Sequence, residues 1–289
     1  MSTNTILITG ASSGFGKDTA LTLASVGHRV FATMRAVNGR HSHKAQELRS
    51  KGIEVIEMDV QNDASVDSAF KALFQKTGGK LDVIINNAGQ MVQGISEAIT
   101  IEQTRDMFDV NVVGIQRVMR AALPQLRKNK SGLIINVGSI LGRVTIPFLG
   151  LYGATKFAVD AVTESYRYEL SQLGIDVVLL QPSAYPTGLY GHVNASDNGR
   201  EKEYGAVANA SSGFVEFIQG MFGGEKAPNP HDVANAIVDI IATPGGKRPE
   251  RVVVGAPFGA DAANAALEPI QSQLIDSLGM GNLKTLKTV

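Results

Sequence analysis

The sequence predicts an α/β fold: a doubly wound, seven-stranded parallel sheet with helices on both faces. Three observations carry that prediction. Apolar runs at 5–9, 29–33, 54–58, 83–85, 133–137, 176–180 and 251–254 are mostly near-continuous in Val, Ile and Leu. Strands that read this way, without polar alternation, are buried on both faces. Segments of helical period lie between them, and such alternation implies parallel strands joined by crossover helices. No internal repeat or linker divides the chain, so residues 1–289 are expected to form one domain.

Composition narrows the function classes. A chain of 289 residues is long enough for one sizeable core or two small ones. Its 27 lysines and arginines balance 27 aspartates and glutamates, and no basic run stands out. That argues against a nucleic-acid backbone as partner. The absence of cysteine excludes disulfides, thiolate catalysis and Cys-based metal sites, and no metal is expected. The first residues lack the charged-then-apolar pattern of a signal peptide, and no apolar run approaches the ~20 residues of a membrane span. A soluble, cytoplasmic protein without a membrane partner is expected.

The first strand runs into Thr9-Gly10-Ala11-Ser12-Ser13-Gly14-Phe15-Gly16. Glycines permit a tight turn and a close approach to the backbone, and the helix that follows offers free N–H groups to a phosphate. The spacing is G-x-x-x-G-x-G rather than the commoner G-x-G-x-x-G. A ligand-free glycine turn is the bland reading. The position between first strand and first helix favours a dinucleotide site. Further along, Thr100-Ile101-Glu102-Gln103 is a capping-box pattern that opens a long helix towards Arg127. Asn229-Pro230 reads as an N-cap followed by proline at the first helical position. The stretch 183–229 is rich in Gly, Ser, Asn and Ala and interrupts the alternation, which marks it as a substrate loop or lid within the domain. Near the C-terminus Leu267, Ile270, Leu274, Ile275 and Leu278 fall at helical spacing, and this helix is expected to pack on its own domain, with a role as pocket cover or subunit contact as the alternative.

Tyr152 and Lys156 stand four apart, on one face of the helix that holds them. A free tyrosine titrates near ~10, too high for proton transfer at neutral pH. A nearby cation favours the phenolate, and a shift of ~3 units needs ~4 kcal/mol of differential interaction. The pair therefore has the makings of a general acid–base device. Ser139 follows a buried strand and precedes Tyr152 by thirteen positions, within reach of a substrate carbonyl; a plain turn serine is the alternative. Asn111 interrupts an apolar helical stretch, where a buried amide must be hydrogen-bonded, if only to tie two elements together.

These motifs together resemble the short-chain dehydrogenase/reductase family, and the Ala32-Thr33-Met34-Arg35 turn with the long stretch 183–229 most resembles its single-domain branch that handles hydroxysteroids, retinoids and similar bulky carbonyl compounds. The family's Thr-Gly-x-x-x-Gly-x-Gly corresponds to Thr9 through Gly16, and its Asn-Asn-Ala-Gly to Asn86, Asn87, Ala88 and Gly89. Asp59 and Val60 match the pair that lies against the adenine. Asn111, Ser139, Tyr152 and Lys156 match the catalytic set. The motifs run in family order over residues 5–187. The resemblance implies a Rossmann-like fold, a nicotinamide cofactor and hydride transfer from its pro-S face. It makes Tyr152 the proton donor and acceptor and Ser139 the stabiliser of the oxygen charge. Lys156 would lower the tyrosine pKa and bind the nicotinamide ribose, with Asn111 linked to it through water. Family members often pair into homodimers or homotetramers.

The second strand ends in Met34 and Arg35, where an acid would meet a free ribose 2′-hydroxyl. A guanidinium suits a 2′-phosphate instead, with Ser12 and Ser13 adding hydroxyls, so NADP(H) is expected over NAD(H). After the sixth strand the family's usual Pro-Gly is Pro182-Ser183 here, which puts the shape of the nicotinamide loop in question. Thr187 is still placed to meet the carboxamide, and Tyr185 to line the same end. Leu141, Val144, Phe148, Leu149, Tyr190, Phe214 and Met221 are candidates for an apolar substrate pocket. Arg143 is the only cation near it. The expected activity is that of an NADP-dependent alcohol dehydrogenase or carbonyl reductase acting on a small hydrophobic ketone, aldehyde or alcohol. A cofactor-binding sensor without chemistry is the alternative, and retention of both Tyr152 and Lys156 weighs against it. An extended-type enzyme acting on nucleotide sugars would need a larger C-terminal domain.

Overall fold

A computed structural model describes residues 3–190, 199–224 and 227–288. Seven strands are present: β1 (Thr5–Ile8), β2 (Arg29–Met34), β3 (Glu54–Glu57), β4 (Val83–Asn86), β5 (Gly132–Val137), β6 (Ile175–Pro182) and β7 (Arg251–Val254). They form one sheet in the order β3-β2-β1-β4-β5-β6-β7, every pair parallel. The helices are α1 (Gly14–Ser25), α2 (Ser42–Ser50), α3 (Asp63–Thr77), α4 (Ile101–Phe108), α5 (Gly114–Asn129), α6 (Gly150–Ser171), α7 (Ala206–Met221), α8 (His231–Ala242) and α9 (Ala260–Ser277).

The strand residues point alternately to two cores. Ile6, Ile8, Val30, Ala32, Ile85 and Ile135 face one, filled by residues of α1, α2 and α8 such as Leu23, Leu48 and Ile237. Leu7, Phe31, Ile84 and Ile134 face the other, filled by Phe70 of α3, Met119 of α5 and Val159 of α6. This is the doubly wound sheet that the uninterrupted apolar runs predict. The strand order reverses between β1 and β4, and in such sheets ligands bind at that point, outside the carboxyl ends of the strands.

Local chemistry sets the helix ends. Asn62 caps α3 by accepting from the Ser65 N–H at 2.9 Å, and Gly78 closes it in the left-handed region at φ 63°. Thr100 and Gln103 form the expected capping box on α4, with reciprocal bonds of 3.1 and 3.0 Å. The helix towards Arg127 is not uniform, however. A π turn at Asp109–Val113 separates α4 from α5. At α8 the flanking position is Pro230 rather than Asn229, one residue later than the sequence suggests. The Asn229 side chain still accepts from the His231 N–H at 3.1 Å.

Two expectations about the C-terminal third need correction. The stretch 183–229, of which 191–198 and 225–226 lie outside the described residues, is not irregular where it is described, since it contains a 3-10 turn, Arg200–Tyr204, and the four-turn helix α7. The stripe on α9 does not pack fully on its own domain. Ile275 is buried, but Leu267, Ile270, Leu274 and Leu278 are 45–64% exposed. Helical spacing identifies such a stripe without identifying what covers it. Among the described residues no helix is long and apolar enough to cross a membrane.

Candidate active site

Each strand from β1 to β6 delivers a segment to one cleft of about 830 Å³. At one end lie Gly10, Ser12, Ser13, Gly14 and Phe15, from the β1–α1 turn. Gly10 holds φ 68°, and a Cβ there would stand 2.7 Å from the Ala88 Cα. Gly16 does not border the cleft. It lies beneath the turn, where a Cβ would meet the Asn87 side chain and the Gly10 carbonyl. Asn87 in turn donates to the carbonyls of Thr9 and Gly10 at 2.9 and 3.1 Å. Thr9 accepts from the backbone N–H groups of Asn87 and Ala88, both at 3.0 Å. The two glycine-bearing motifs are thus one interlocked platform, with Ala88 and Gly89 on the cleft wall.

The first turn of α1 carries no acidic residue, and its flanking Ser13 makes no side-chain cap. Its N–H groups are therefore available to an anion. Arg35, exposed at the end of β2, borders the same end of the cleft, together with Met34, Arg40 and Lys44. Asp59 and Val60 follow β3 on the cleft wall, and Asp59 accepts from the Gln61 N–H at 3.1 Å. Glycines that permit close approach, an uncapped helix start and three cations fit a phosphorylated dinucleotide.

At the centre stand Ser139, Tyr152 and Lys156. Ser139 ends the β5 connection in extended conformation and accepts from the Leu141 N–H at 3.1 Å. Tyr152 and Lys156 lie one turn apart on α6, both buried. The lysine ammonium is 5.7 Å from the tyrosine ring centroid and donates to the Val137 carbonyl at 3.0 Å. Burial pushes the Tyr152 phenol above its ordinary value, and the nearby Tyr190 phenol adds to that, while a hydrogen bond shared with Ser139 opposes it. The expected lowering of the tyrosine pKa by Lys156 is therefore not expressed in this state. Burial dominates, and the ammonium spends a proton on a backbone carbonyl. Burial also lowers the lysine itself to about 8, with the Asp160 carboxylate opposing.

Asn111 sits in the π turn, out of the cleft. Its amide oxygen accepts from the Gln90 N–H, and its nitrogen donates to the Gln90 carbonyl and the Thr155 hydroxyl, each at 2.9 Å. The extra residue of a π turn turns this side chain inward, a device common at functional sites. Thr155 donates onward to the Tyr152 carbonyl at 2.7 Å. Asn111 thus braces the loop after β4 against α6 without touching Lys156.

The loop that follows β6 also reaches the cleft. Pro182, Tyr185 and Thr187 all border the cleft. Ser183 has no positive φ, and its N–H donates to the Val254 carbonyl at 2.9 Å, so a serine suits a backbone that continues the β6–β7 pairing. Thr187 closes on the glycine turn, 3.6 Å from where a Cβ on Gly14 would lie. Tyr185 is buried edge-on against Phe15, with ring centroids 5.6 Å apart.

Residues 4–198 match the family model for short chain dehydrogenases. The chain belongs to that family. A 3-ketodihydrosphingosine reductase of Bacteroides thetaiotaomicron is 38% identical over 200 residues, 69% of this chain and 71% of the relative. A short chain dehydrogenase/reductase of Burkholderia phymatum, solved with NAD, superposes with a TM-score of 0.74 at 26% identity, over 94% of this chain and 95% of that one. An alcohol dehydrogenase of the archaeon Thermococcus sibiricus, solved with 5-hydroxy-NADP, does so at 0.68 and 26% identity, over 87% and 96%. This short-chain dehydrogenase is therefore a nucleotide-binding oxidoreductase with a Rossmann fold. Neighbours of this fold bind NADP or NAD.

The far end of the cleft is apolar. Leu141, Leu149, Tyr190, Phe214 and Met221 line it as expected. Phe148 and Val144 do not. Phe148 packs on Phe214 at a centroid distance of 6.2 Å, and Val144 packs in the adjoining core cluster. Arg143 faces away from the cleft: its guanidinium meets Asp160 Oδ2 and Asn264 Oδ1, both at 2.9 Å. Sequence reasoning missed Arg40 and Lys44, although basic residues soon after Arg35 were a usable signal. It also missed Phe217 and Ile218, which share helical spacing with Phe214 and Met221. Nothing in the sequence pattern pointed to Phe258, which reaches the cleft from the β7–α9 turn.

Proposed function

We propose that this chain is an NADP(H)-dependent oxidoreductase that interconverts a hydrophobic ketone or aldehyde and its alcohol, with Tyr152 as general acid and base. One observation carries the reading. A single cleft runs from the glycine turn and three cations, past Ser139, Tyr152 and Lys156, to an apolar end. The order of chemistry along it matches a phosphorylated dinucleotide, a proton donor and an apolar carbonyl compound. The relative from Bacteroides thetaiotaomicron, whose name specifies a ketone, supports this direction.

When bound, the nicotinamide supplies or accepts the hydride. The chain's own residues manage the oxygen and its proton. The Tyr152 phenol, held protonated by burial, donates to an oxygen that gains charge during reduction. Ser139 is hydrogen-bonded to the same phenol and steadies that oxygen. Lys156, anchored on Val137, keeps a positive charge beside the ring as the phenol gives up its proton. The lid elements and apolar walls limit water.

Preference for NADP(H) is supported by Arg35, Arg40 and Lys44 and by the absence of an acid at position 34. The test is a comparison of kcat/KM for NADPH and NADH with ketones graded by size. Faster turnover with NADPH supports the proposal. Binding of NADPH without turnover of any carbonyl compound favours the sensor reading instead.

A further inference from the structure

The apolar end of the cleft has a feature that the fold does not require. Phe258 lies in the turn Pro257-Phe258-Gly259 before α9, with φ 47°. A bulky residue in the left-handed region is strained, and glycine or asparagine suits the position better. The ring gains little from burial in return, since Phe258 is 53% exposed. Strain kept at an exposed aromatic position is an observation from which function can be inferred.

A second observation points the same way. Phe214, Phe217, Ile218 and Met221 recur at i, i+3, i+4 and i+7 on α7, and all four line the cleft together with Phe258. An apolar stripe at this spacing ordinarily faces a core. Here Ile218 alone of the helix is buried, and Phe217 is 60% exposed. The stripe thus faces the cleft, and Phe217 and Phe258 stand where it opens to solvent. At 1.5 Å per residue the stripe is roughly 10 Å long, the span of an extended alkyl chain of roughly eight carbons.

We propose that this end of the cleft binds the alkyl chain of an elongated ketone, with the chain lying along the α7 stripe and leaving past Phe217 and Phe258. The inference rests on the ketone-reducing reading of the site and adds the substrate's shape: a long-chain compound selected by chain length. A fully buried methylene is worth a roughly four-fold gain, so kcat/KM rises by up to about that factor per carbon until the stripe is covered.

The test is NADPH-dependent reduction of the 2-alkanones from 2-butanone to 2-dodecanone by the full chain. The wild type shows kcat/KM rising from 2-butanone until the alkyl chain reaches roughly eight carbons and levelling off beyond that. Phe258→Gly, which also relieves the backbone strain, and Phe217→Ser each reduce the 2-dodecanone to 2-hexanone ratio at least five-fold. Ketone turnover that is flat with chain length overturns the inference and leaves the ketone reading intact. A normal rise that neither variant alters overturns it as well. No turnover of any ketone with either cofactor overturns the ketone reading, and the chain-length inference with it.

Discussion

Lys156 holds its ammonium 5.7 Å from the centre of the Tyr152 ring while donating to the Val137 carbonyl at 3.0 Å. The lysine therefore acts on the tyrosine as a fixed charge above the ring and not as a hydrogen-bond partner. Burial, with the Tyr190 phenol adding to it, is what holds the Tyr152 phenol protonated.

The lysine's own titration gives a pH prediction. Its pKa is lowered to about 8, so the cation is present below that pH and lost above it. The pH profile of kcat/KM reports groups of the free enzyme. In the reducing direction it should fall above about pH 8, and Lys156→Met should lower the rate and remove that limb. A profile flat to pH 10 contradicts this role.

The cation cluster predicts cofactor choice. Arg35, Arg40 and Lys44 border the end of the cleft nearest β2. Charge-assisted bonds to a phosphate are worth ~1.5–3 kcal/mol each. Arg35→Asp should therefore shift the NADPH/NADH ratio of kcat/KM towards NADH by at least ten-fold, and Arg40→Ala with Lys44→Ala should weaken NADPH and spare NADH. An unchanged ratio in both variants rules out the assignment.

Gly10 should tolerate no side chain. Its φ of 68° is strained for alanine, and a Cβ would come within 2.7 Å of the Ala88 backbone. Strain of ~1–2 kcal/mol is expected, with displacement of the Asn87–Gly89 wall. Gly10→Ala should lower stability in urea by that amount and weaken NADPH binding more than ten-fold by fluorescence titration. Wild-type affinity would mean that the turn does not shape the site.

The buried pair of Arg143 and Asp160 predicts a pH-dependent stability effect. Asp160 is 3% exposed, and burial pushes it up to about 7 despite Arg143, Arg251 and Lys156 nearby. A carboxyl raised above its unfolded value binds its proton more readily in the folded state, so its stability contribution is fully present below the ordinary carboxylate range and is lost as pH rises through about 7, above which the buried carboxylate depends on its cationic partners. Arg143→Met strands that charge. The loss should be ~3–5 kcal/mol at pH 8.5 and clearly smaller at pH 5.5, by urea unfolding. Equal losses at both pH values contradict the pairing.

Legibility followed the range of the interactions. The strands were plain because burial on both faces leaves uninterrupted Val, Ile and Leu runs, as in 133–137 and 176–180. The cleft residues carried by short motifs were legible because each motif is local: Gly10 and Asn87 sit at strand ends, and Tyr152 stands one helical turn from Lys156. What escaped depends on contacts between distant segments. Phe148 faces Phe214 rather than the cleft, Arg143 turns to Asn264 across 121 positions, and the α9 stripe lies open. The effect of burial on Tyr152 also escaped, because spacing along a helix says nothing of solvent.

In the proposed hydride-transfer site the role of Tyr152 is to deliver the proton. Tyr152→Phe tests it most directly, by steady-state NADPH oxidation with a ketone alongside NADPH titration of the same preparation. The predicted result is a loss of at least a thousand-fold in kcat with NADPH affinity within about three-fold of wild type. Tyr152→Phe protein that still turns over within about ten-fold of wild type would contradict it.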